Sequence, residues 1–195
     1  MSLSSRLAIA LLFASSAIAH ADDRPASPRG TAAVQLGKNG KWLEVDYGRP
    51  LLRGRANIFG TGADYGKAVT GQAPVWRLGA NEATKLKTEV PVTIGGKKLA
   101  PGTYDLFTKL DNGAWTLVVS TQPARAQGEP KSPDKVWGSY GYDPKFDVAR
   151  VPMTVGKSDA AVEQLTIGFV DISPKSGKLQ VAWDHTTATA PFTLE

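Results

Sequence analysis

Alternating apolar and polar positions run through most of this sequence. Leu43, Val45 and Tyr47, for example, are separated by the acidic residues Glu44 and Asp46. Successive side chains of a β-strand point to opposite faces, so this alternation predicts strands that each bury one face. The same pattern recurs in five further segments, which are residues 84–90, 104–110, 115–119, 165–169 and 179–183.

Turn signals separate these segments. Gly95-Gly96 lies between residues 92–94 and 97–99, which predicts a tight hairpin because glycine readily adopts the positive φ of primed turns. Residues 111–113 and 173–177 are predicted to form further turns. The whole arrangement predicts an all-β fold, a single antiparallel β-sandwich or jelly-roll-like domain of about eight or nine strands.

Four other features refine this picture. Residues 159–164 have a helical pattern, with Ser158 as the N-cap. Trp115 and Trp183 lie on apolar strand faces and are expected in the core. Phe192 and Leu194 are expected to close the sheet. Two long loops, residues 49–74 and 121–134, are rich in glycine or proline, and long loops of this kind are often functional.

The first residues predict a signal peptide. Arg6 is followed by an apolar run over residues 7–14, and small-residue cleavage motifs end at Ala19 and at Ala21. We expect cleavage after one of these two alanines, which assigns residues 1–21 to the signal peptide. The apolar run is too short to span a membrane, so a periplasmic or secreted location is predicted.

The remaining chain is predicted to hold one domain. Residues 22–30, rich in proline and serine, are expected to form a flexible lead-in, and residues 31–195 the β domain. No later segment has the run of about 20 apolar residues that a spanning helix needs, so no membrane span is expected.

Composition excludes several kinds of chemistry. The sequence has no cysteine, which rules out disulfides, thiol catalysis and thiolate metal sites. His185 is the sole histidine after cleavage at Ala21, and its neighbour Asp184 is expected on the opposite face of a strand. We therefore expect no metal site.

Charge and motifs also argue against nucleic-acid and cofactor binding. The net charge is +5, but the basic residues are scattered, so no nucleic-acid partner is expected. Residues 60–67 are glycine-rich but lack P-loop spacing, and residues 132–135 match S-x-x-K only within a proline-rich loop. No cofactor is expected.

The segment from Trp76 to Thr84 carries the most concentrated polar chemistry, and Arg53 and two further arginines of the 49–74 loop precede it. Charges at buried positions are costly unless they are paired and hydrogen-bonded. The segment therefore either stabilises the fold, with Arg77 paired to Glu82, or forms a ligand site.

The ligand-binding candidates combine this segment with the preceding arginines and with two aromatic residues further along the chain. In residues 136–142, Tyr140 and Tyr142 are expected on one face of an extended segment and Trp137 on the other. The full set of candidates is Arg49, Arg55, Trp76, Arg77, Asn81, Glu82, Thr84, Tyr140 and Tyr142.

These observations favour an exported, non-catalytic binding or structural module. Its expected partner is a small anionic ligand or an envelope protein. The alternative is a small hydrolase or isomerase, in which Glu82 acts as general base, oriented by Asn81, and Arg77 or Arg49 stabilises developing negative charge. A third option is a protein-interaction module that uses the glycine-rich loop.

A series of short motifs spans most of the chain. They are R-P at 49–50, R-G-R at 53–55, I-F-G at 58–60, V-W-R-L-G-A-N-E-A-T at 75–84, L-A-P-G-T-Y at 99–104, W-G at 137–138 with the two tyrosines, and D-V-A-R-V at 147–151. In this order they resemble the DUF2911 family. The resemblance implies an exported bacterial protein, mostly β, of unassigned function, and it supplies no catalytic residues.

Overall fold

Nine antiparallel strands make up the fold. A computed structural model of the chain describes residues 26–36 and 40–194. The signal peptide predicted for residues 1–21 lies outside the described residues. The strands are β1 (Arg29–Leu36), β2 (Lys41–Gly48), β3 (Thr84–Thr88), β4 (Val92–Ile94), β5 (Lys97–Leu99), β6 (Gly102–Asp111), β7 (Ala114–Ser120), β8 (Asp147–Ser173) and β9 (Ser176–Leu194).

The strands form one sheet in the order β1-β2-β3-β6-β7-β8-β9-β4-β5. The long strand β8 joins its two parts, because residues 147–153 pair with β7 and residues 154–173 pair with β9. The predicted all-β, antiparallel class and the strand number are confirmed. Arg29 and Gly30, which were expected in the lead-in, are the first residues of β1.

The alternating apolar residues of β2 are buried on one face, as predicted. Leu43, Val45 and Tyr47 are all buried in the main core. The Tyr47 hydroxyl donates to the carbonyl of Ile167 at 3.1 Å and accepts from its amide at 2.9 Å, which fixes β2 against β8. Trp115 and Trp183 also lie in this core, as expected.

The predicted turns are present. Gly95 and Gly96 have φ of 55° and 78° and join β4 to β5 in a hairpin. Phe192 and Leu194 pair with Ile94 and Val92, so the end of β9 closes the sheet against β4.

The helix predicted over residues 159–164 is wrong. These residues belong to β8, and Val162 pairs with Asp184 of β9 between two register shifts. Six residues are too few to sustain a helix without tertiary support. The extended chain instead has partners from distant segments, Asp184 of β9 for Val162 and the amide of Leu52 for the carbonyl of Glu163. The Ser158 hydroxyl donates to the carbonyl of Ala160 at 2.7 Å and does not cap a helix.

The loop of residues 49–74 is fixed by its own side chains. It contains one short α-helix, α1 (Lys67–Thr70), and buries Leu52, Ile58 and Phe59 in the main core. The Phe59 ring meets the edges of three tryptophans, Trp76 at 5.6 Å, Trp115 at 4.8 Å and Trp183 at 6.0 Å between centroids. None of the helices in the described part of the chain is long and apolar enough to cross a membrane.

The loop of residues 121–146 covers the other face of the sheet. Phe107 and Val118 point away from the main core and pack with Val75, Ala83 and Val136 in a second, smaller apolar cluster. Because Val136 belongs to this cluster, the segment that follows it is held beside residues 75–83.

Candidate functional site

The Trp76–Thr84 segment is a compact turn that pairs with β6 at Trp76 and leads into β3 at Thr84. Trp76 exchanges two backbone hydrogen bonds with Thr108, each 2.8 Å long. Leu78 and Asn81 have left-handed φ of 53° and 64°, which folds the backbone back on itself. The Trp76 indole donates to the carbonyl of Gly79 at 3.3 Å.

Thr84 has a structural role in this turn. Its side chain is fully buried, and its hydroxyl donates to the carbonyl of Leu78 at 3.0 Å. Buried backbone carbonyls need such a partner, and this bond supplies it where the left-handed turn interrupts the regular ladder. Thr84 therefore holds the turn in shape from within the core.

The predicted pairing of Arg77 with Glu82 is wrong. Arg77 donates from Nη1 to the backbone carbonyl of Asn81 at 2.9 Å, and its guanidinium carbon lies 5.3 Å from the centre of the Tyr140 ring. Glu82 accepts from the amide of Gln127 at 3.0 Å and lies 3.9 Å from Arg29. The two left-handed residues bend the chain so that the two side chains line different cavities.

Four of the candidate residues converge on one cleft, which we call the arginine cleft. Arg55, Trp76, Arg77 and Asn81 line it together with Trp183, and its volume is about 300 Å³. This volume lies at the lower end of the range typical of small-molecule sites. No carboxylate is among its lining residues. Its charged side chains are therefore both cationic.

Arg55 is oriented by the loop that carries it. Its Nε donates to the carbonyl of Leu52 at 2.9 Å and its Nη2 to the carbonyl of Leu51 at 2.7 Å. The guanidinium carbon lies 5.8 Å from the centre of the Trp183 ring, within reach of a cation–π interaction. The positive charge of Arg55 is thus held at the cleft by groups that do not neutralise it.

Trp183 contributes a buried indole to the cleft wall. Its side chain is buried and its plane lies 13° from that of Trp76, at a centroid distance of 6.2 Å. Its buried indole Nε1 has no hydrogen-bond partner within the described ranges. Unpaired buried donors are rare because each costs free energy.

Arg49 lies apart from the arginine cleft. Its side chain packs against Gly30 of β1, and its buried Nε has no hydrogen-bond partner in the part of the chain that the structure describes. Its backbone amide donates to Pro28 at 2.9 Å, and its carbonyl accepts from Gln164 at 3.3 Å. Arg49 therefore connects the start of β1 with β8.

Tyr140 and Tyr142 do not share a face with each other, contrary to the prediction. Residues 137–140 form a tight turn, in which Trp137 and Tyr140 exchange backbone hydrogen bonds of 3.0 and 2.9 Å. Tyr140 and Trp137 consequently line the same cavity. The segment is a turn because Gly138 takes a left-handed φ of 61°.

Tyr142 belongs to a separate polar cluster. Its hydroxyl donates to Asp147 Oδ2 at 2.6 Å and accepts from Arg150 Nη2 at 3.0 Å. Burial, reinforced by Asp147, raises the pKa of Tyr142 well above its usual range. This tyrosine stays neutral at physiological pH and has a structural role at the start of β8.

Comparison with known families identifies the relationship of this chain. The family described as "Protein of unknown function (DUF2911)" matches residues 27–192. The chain belongs to the DUF2911 family. No curated protein and no solved structure matches it. The match includes all nine candidate residues of this DUF2911 protein, so the arginine cleft lies within the family's domain.

Glu82 of the DUF2911 domain occupies a different cavity, lined also by Arg29, Asn81 and Gln127. Its carboxylate is engaged by an amide and an arginine, and neither Arg77 nor Arg49 contacts it within the described ranges. Glu82 and Arg77, which the hydrolase alternative combines, thus line different cavities.

Asp184 and His185 both line one cavity, in which Asp184 is buried and His185 is exposed. Asp184 has a left-handed φ of 54° at a bulge, which breaks the alternation of the strand. Its Oδ2 accepts from the amide of Ile58 at 3.2 Å, and His185 Nδ1 lies 3.0 Å from the carbonyl of Ser158. Within the described ranges no three His, Cys, Asp or Glu side chains are grouped for a metal.

Sequence reasoning missed two contributors to the site. Trp183 was assigned to the core, and it is also a wall of the arginine cleft. Arg29, which pairs with Asp46 and also lies 3.9 Å from Glu82, was assigned to the lead-in. Both residues are far in sequence from residues 76–84, so no local pattern could have linked them to that segment.

Proposed function

We propose that this DUF2911 protein is a non-catalytic binding module that holds a small anionic ligand in the arginine cleft. The observation that carries the proposal is the lining of this cleft, in which Arg55, Arg77 and the exposed Asn81 meet without a carboxylate. Guanidinium groups match carboxylate and phosphate oxygens in shape and charge.

The charges of the cleft are available to a ligand. Neither Arg55 nor Arg77 pairs with an acidic side chain within the described residues, because their hydrogen bonds go to backbone carbonyls. The ring of Trp183 forms part of the same wall and lies beneath the Arg55 guanidinium. A bound anion would neutralise both arginines and satisfy donors that the protein leaves open.

The catalytic alternative has less support. A general base must reach the proton that it removes, and electrophilic groups must face the charge that develops. Glu82 and Arg77 line different cavities, and Arg49 lines neither. We therefore favour binding over hydrolysis or isomerisation.

We also propose that the protein acts outside the cytoplasm. The support comes from the sequence of residues 1–21, which has the charged start, apolar run and small-residue cleavage motifs of a signal peptide. A periplasmic or secreted ligand would then reach the arginine cleft directly.

Calorimetric titration with inorganic phosphate, sulfate, succinate and citrate tests the binding proposal. We expect at least one of these anions to bind, and Arg55→Gln and Arg77→Gln each to weaken binding by about tenfold or more. The loss corresponds to a charge-assisted hydrogen bond of about 1.5–3 kcal/mol. Melting temperatures verify that each variant is folded.

Arg53→Gln is the matched control. Arg53 lies two residues before Arg55 on the same loop, is exposed, and does not line the cleft. This variant should bind like the wild type. Absence of binding to all four anions, or an equal loss in Arg53→Gln, would contradict the proposal.

A further inference from the structure

A second concave surface lies beside the arginine cleft and shares no lining residue with it. This surface, which we call the aromatic groove, has a volume of about 430 Å³. Its main lining residues are two aromatic side chains, three basic side chains and a proline, namely Arg125, Lys131, Pro133, Lys135, Trp137 and Tyr140.

The two rings are held at the surface by a rigid turn. The residues between them are fixed, because Gly138 packs against Arg77 and Ser139 is fully buried. Val136, directly before the turn, is anchored in the second apolar cluster. Tyr140 is nevertheless 49% exposed. Large aromatic side chains that remain exposed on an ordered backbone are typical of recognition surfaces.

One guanidinium group stacks against each ring. The Arg125 carbon lies 4.8 Å from the centre of the Trp137 ring, and the Arg77 carbon lies 5.3 Å from that of Tyr140. A cation at this distance stabilises the orientation of a ring. Both rings are therefore fixed in orientation where they line the groove.

The groove carries more positive than negative charge. Lys135 pairs with Glu129, whose backbone carbonyl also accepts from Arg125 at 2.7 Å. The hydrogen bonds from Lys135 and the Ala126 amide hold the pKa of Glu129 below its usual range, so it stays ionised. Lys131 is exposed and has no partner within the described residues. Three basic side chains and no carboxylate therefore line the groove, and one of the three, Lys135, pairs with Glu129.

We propose that the aromatic groove binds an acidic oligosaccharide, that is, a short chain of sugars carrying carboxylate groups. The C–H face of a pyranose ring is apolar and packs on an aromatic ring, whereas its rim carries hydroxyl and carboxylate oxygens. The rings of Trp137 and Tyr140 match the apolar C–H face of the sugar. The cationic side chains of Arg125 and Lys131 match its carboxylate oxygens. Nucleic acid fits less well, because the basic residues elsewhere are scattered and form no stripe along which a backbone would run.

Titration with tetragalacturonate tests this inference, with neutral maltotetraose as the matched ligand control. The protein is purified after expression of the full chain. We expect tetragalacturonate to bind and maltotetraose to bind at least about tenfold more weakly. Trp137→Ala should weaken tetragalacturonate binding by about tenfold. Lys131→Gln, a change at an exposed residue that leaves folding intact, should weaken it by about threefold and reduce its dependence on salt.

Two further variants locate the bound sugar. Lys175→Gln, which removes an exposed charge in the turn between β8 and β9, and Arg55→Gln, in the arginine cleft, should leave tetragalacturonate binding unchanged. Three outcomes would overturn the inference: no binding of tetragalacturonate, equal binding of the neutral sugar, or a loss in Arg55→Gln with none in Lys131→Gln. Tighter binding of a four-nucleotide oligothymidylate would also overturn it, in favour of nucleic acid.

Discussion

Gly138 is the residue at which the arginine cleft and the aromatic groove meet. Its φ of 61° allows the tight turn that places Trp137 and Tyr140 side by side. A Cβ at this position would lie 2.5 Å from Arg77 Nη1 and 2.8 Å from the carbonyl of Asn81. The absence of a side chain therefore lets the groove approach the cleft.

Gly138→Ala should lower the free energy of unfolding by about 2–4 kcal/mol. The left-handed backbone accounts for about 1–2 kcal/mol and the collision with Arg77 and Asn81 for the rest. Gly128→Ala is the control, since Gly128 has φ of 80° but nothing within 4 Å of its Cβ position. Urea denaturation measures both. Equal losses in the two variants would show that the close approach at Gly138 costs nothing.

The loop of residues 49–74 behaves as part of the core rather than as a flexible connection. Phe59 enters the middle of a cluster formed with Trp76, Trp115 and Trp183. Two of these tryptophans also line the arginine cleft, and the same loop carries Arg55. The position of the cleft arginine therefore depends on the burial of Phe59.

Phe59→Ala should lower the free energy of unfolding by about 3–5 kcal/mol, because it leaves a cavity between the three tryptophans. Phe146→Ala serves as the comparison, since Phe146 is half-buried and belongs to neither apolar cluster. Phe146→Ala should lower the free energy of unfolding clearly less than Phe59→Ala when both variants are measured by urea denaturation. If both variants lost the same amount, the loop would not be anchored through Phe59.

At the level of elements, the sequence correctly predicted the strands whose position is determined by burial of one face. Alternation located β2, β3, β6 and β7, because each buries one regular face in the main core. It failed for residues 159–164, whose side chains are mostly exposed. Distant segments hold this stretch extended, since Val162 pairs with Asp184 of β9 and the carbonyl of Glu163 accepts from the amide of Leu52. Alternation also gave no sign that β8 runs unbroken for 27 residues.

The candidate site was predictable in composition but not in geometry. Arg55, Trp76, Arg77 and Asn81 were selected from sequence, and the structure brings them together. The partners of the charges were not predictable, since the nearest opposite charge in sequence, Glu82, turns away from Arg77. Left-handed backbone at non-glycine residues such as Leu78 and Asn81 has no reliable sequence signal.

For the molecule as a whole, the proposed export predicts a defined mature N-terminus. After expression of the full chain in a Gram-negative bacterium, we expect the protein in the periplasm or medium, beginning at His20 or Asp22. Leu11→Arg interrupts the apolar run of residues 7–14 and should leave the uncleaved chain in the cytoplasm. Ser27→Arg adds the same charge outside this run and should be processed normally. Cytoplasmic wild-type protein that starts at Met1 would refute the export proposal.

The closing contact between β4 and β9 also has a consequence for the order of folding. Val92 pairs with Leu194, and the amide of Leu52 donates to the carbonyl of Glu163 at 2.8 Å. Contacts between residues so distant in sequence raise the contact order, and high contact order slows folding. The sheet cannot close until residues 192–194 have been synthesised. If the protein is exported as proposed, we expect this slow closure to favour translocation of the chain before it has folded.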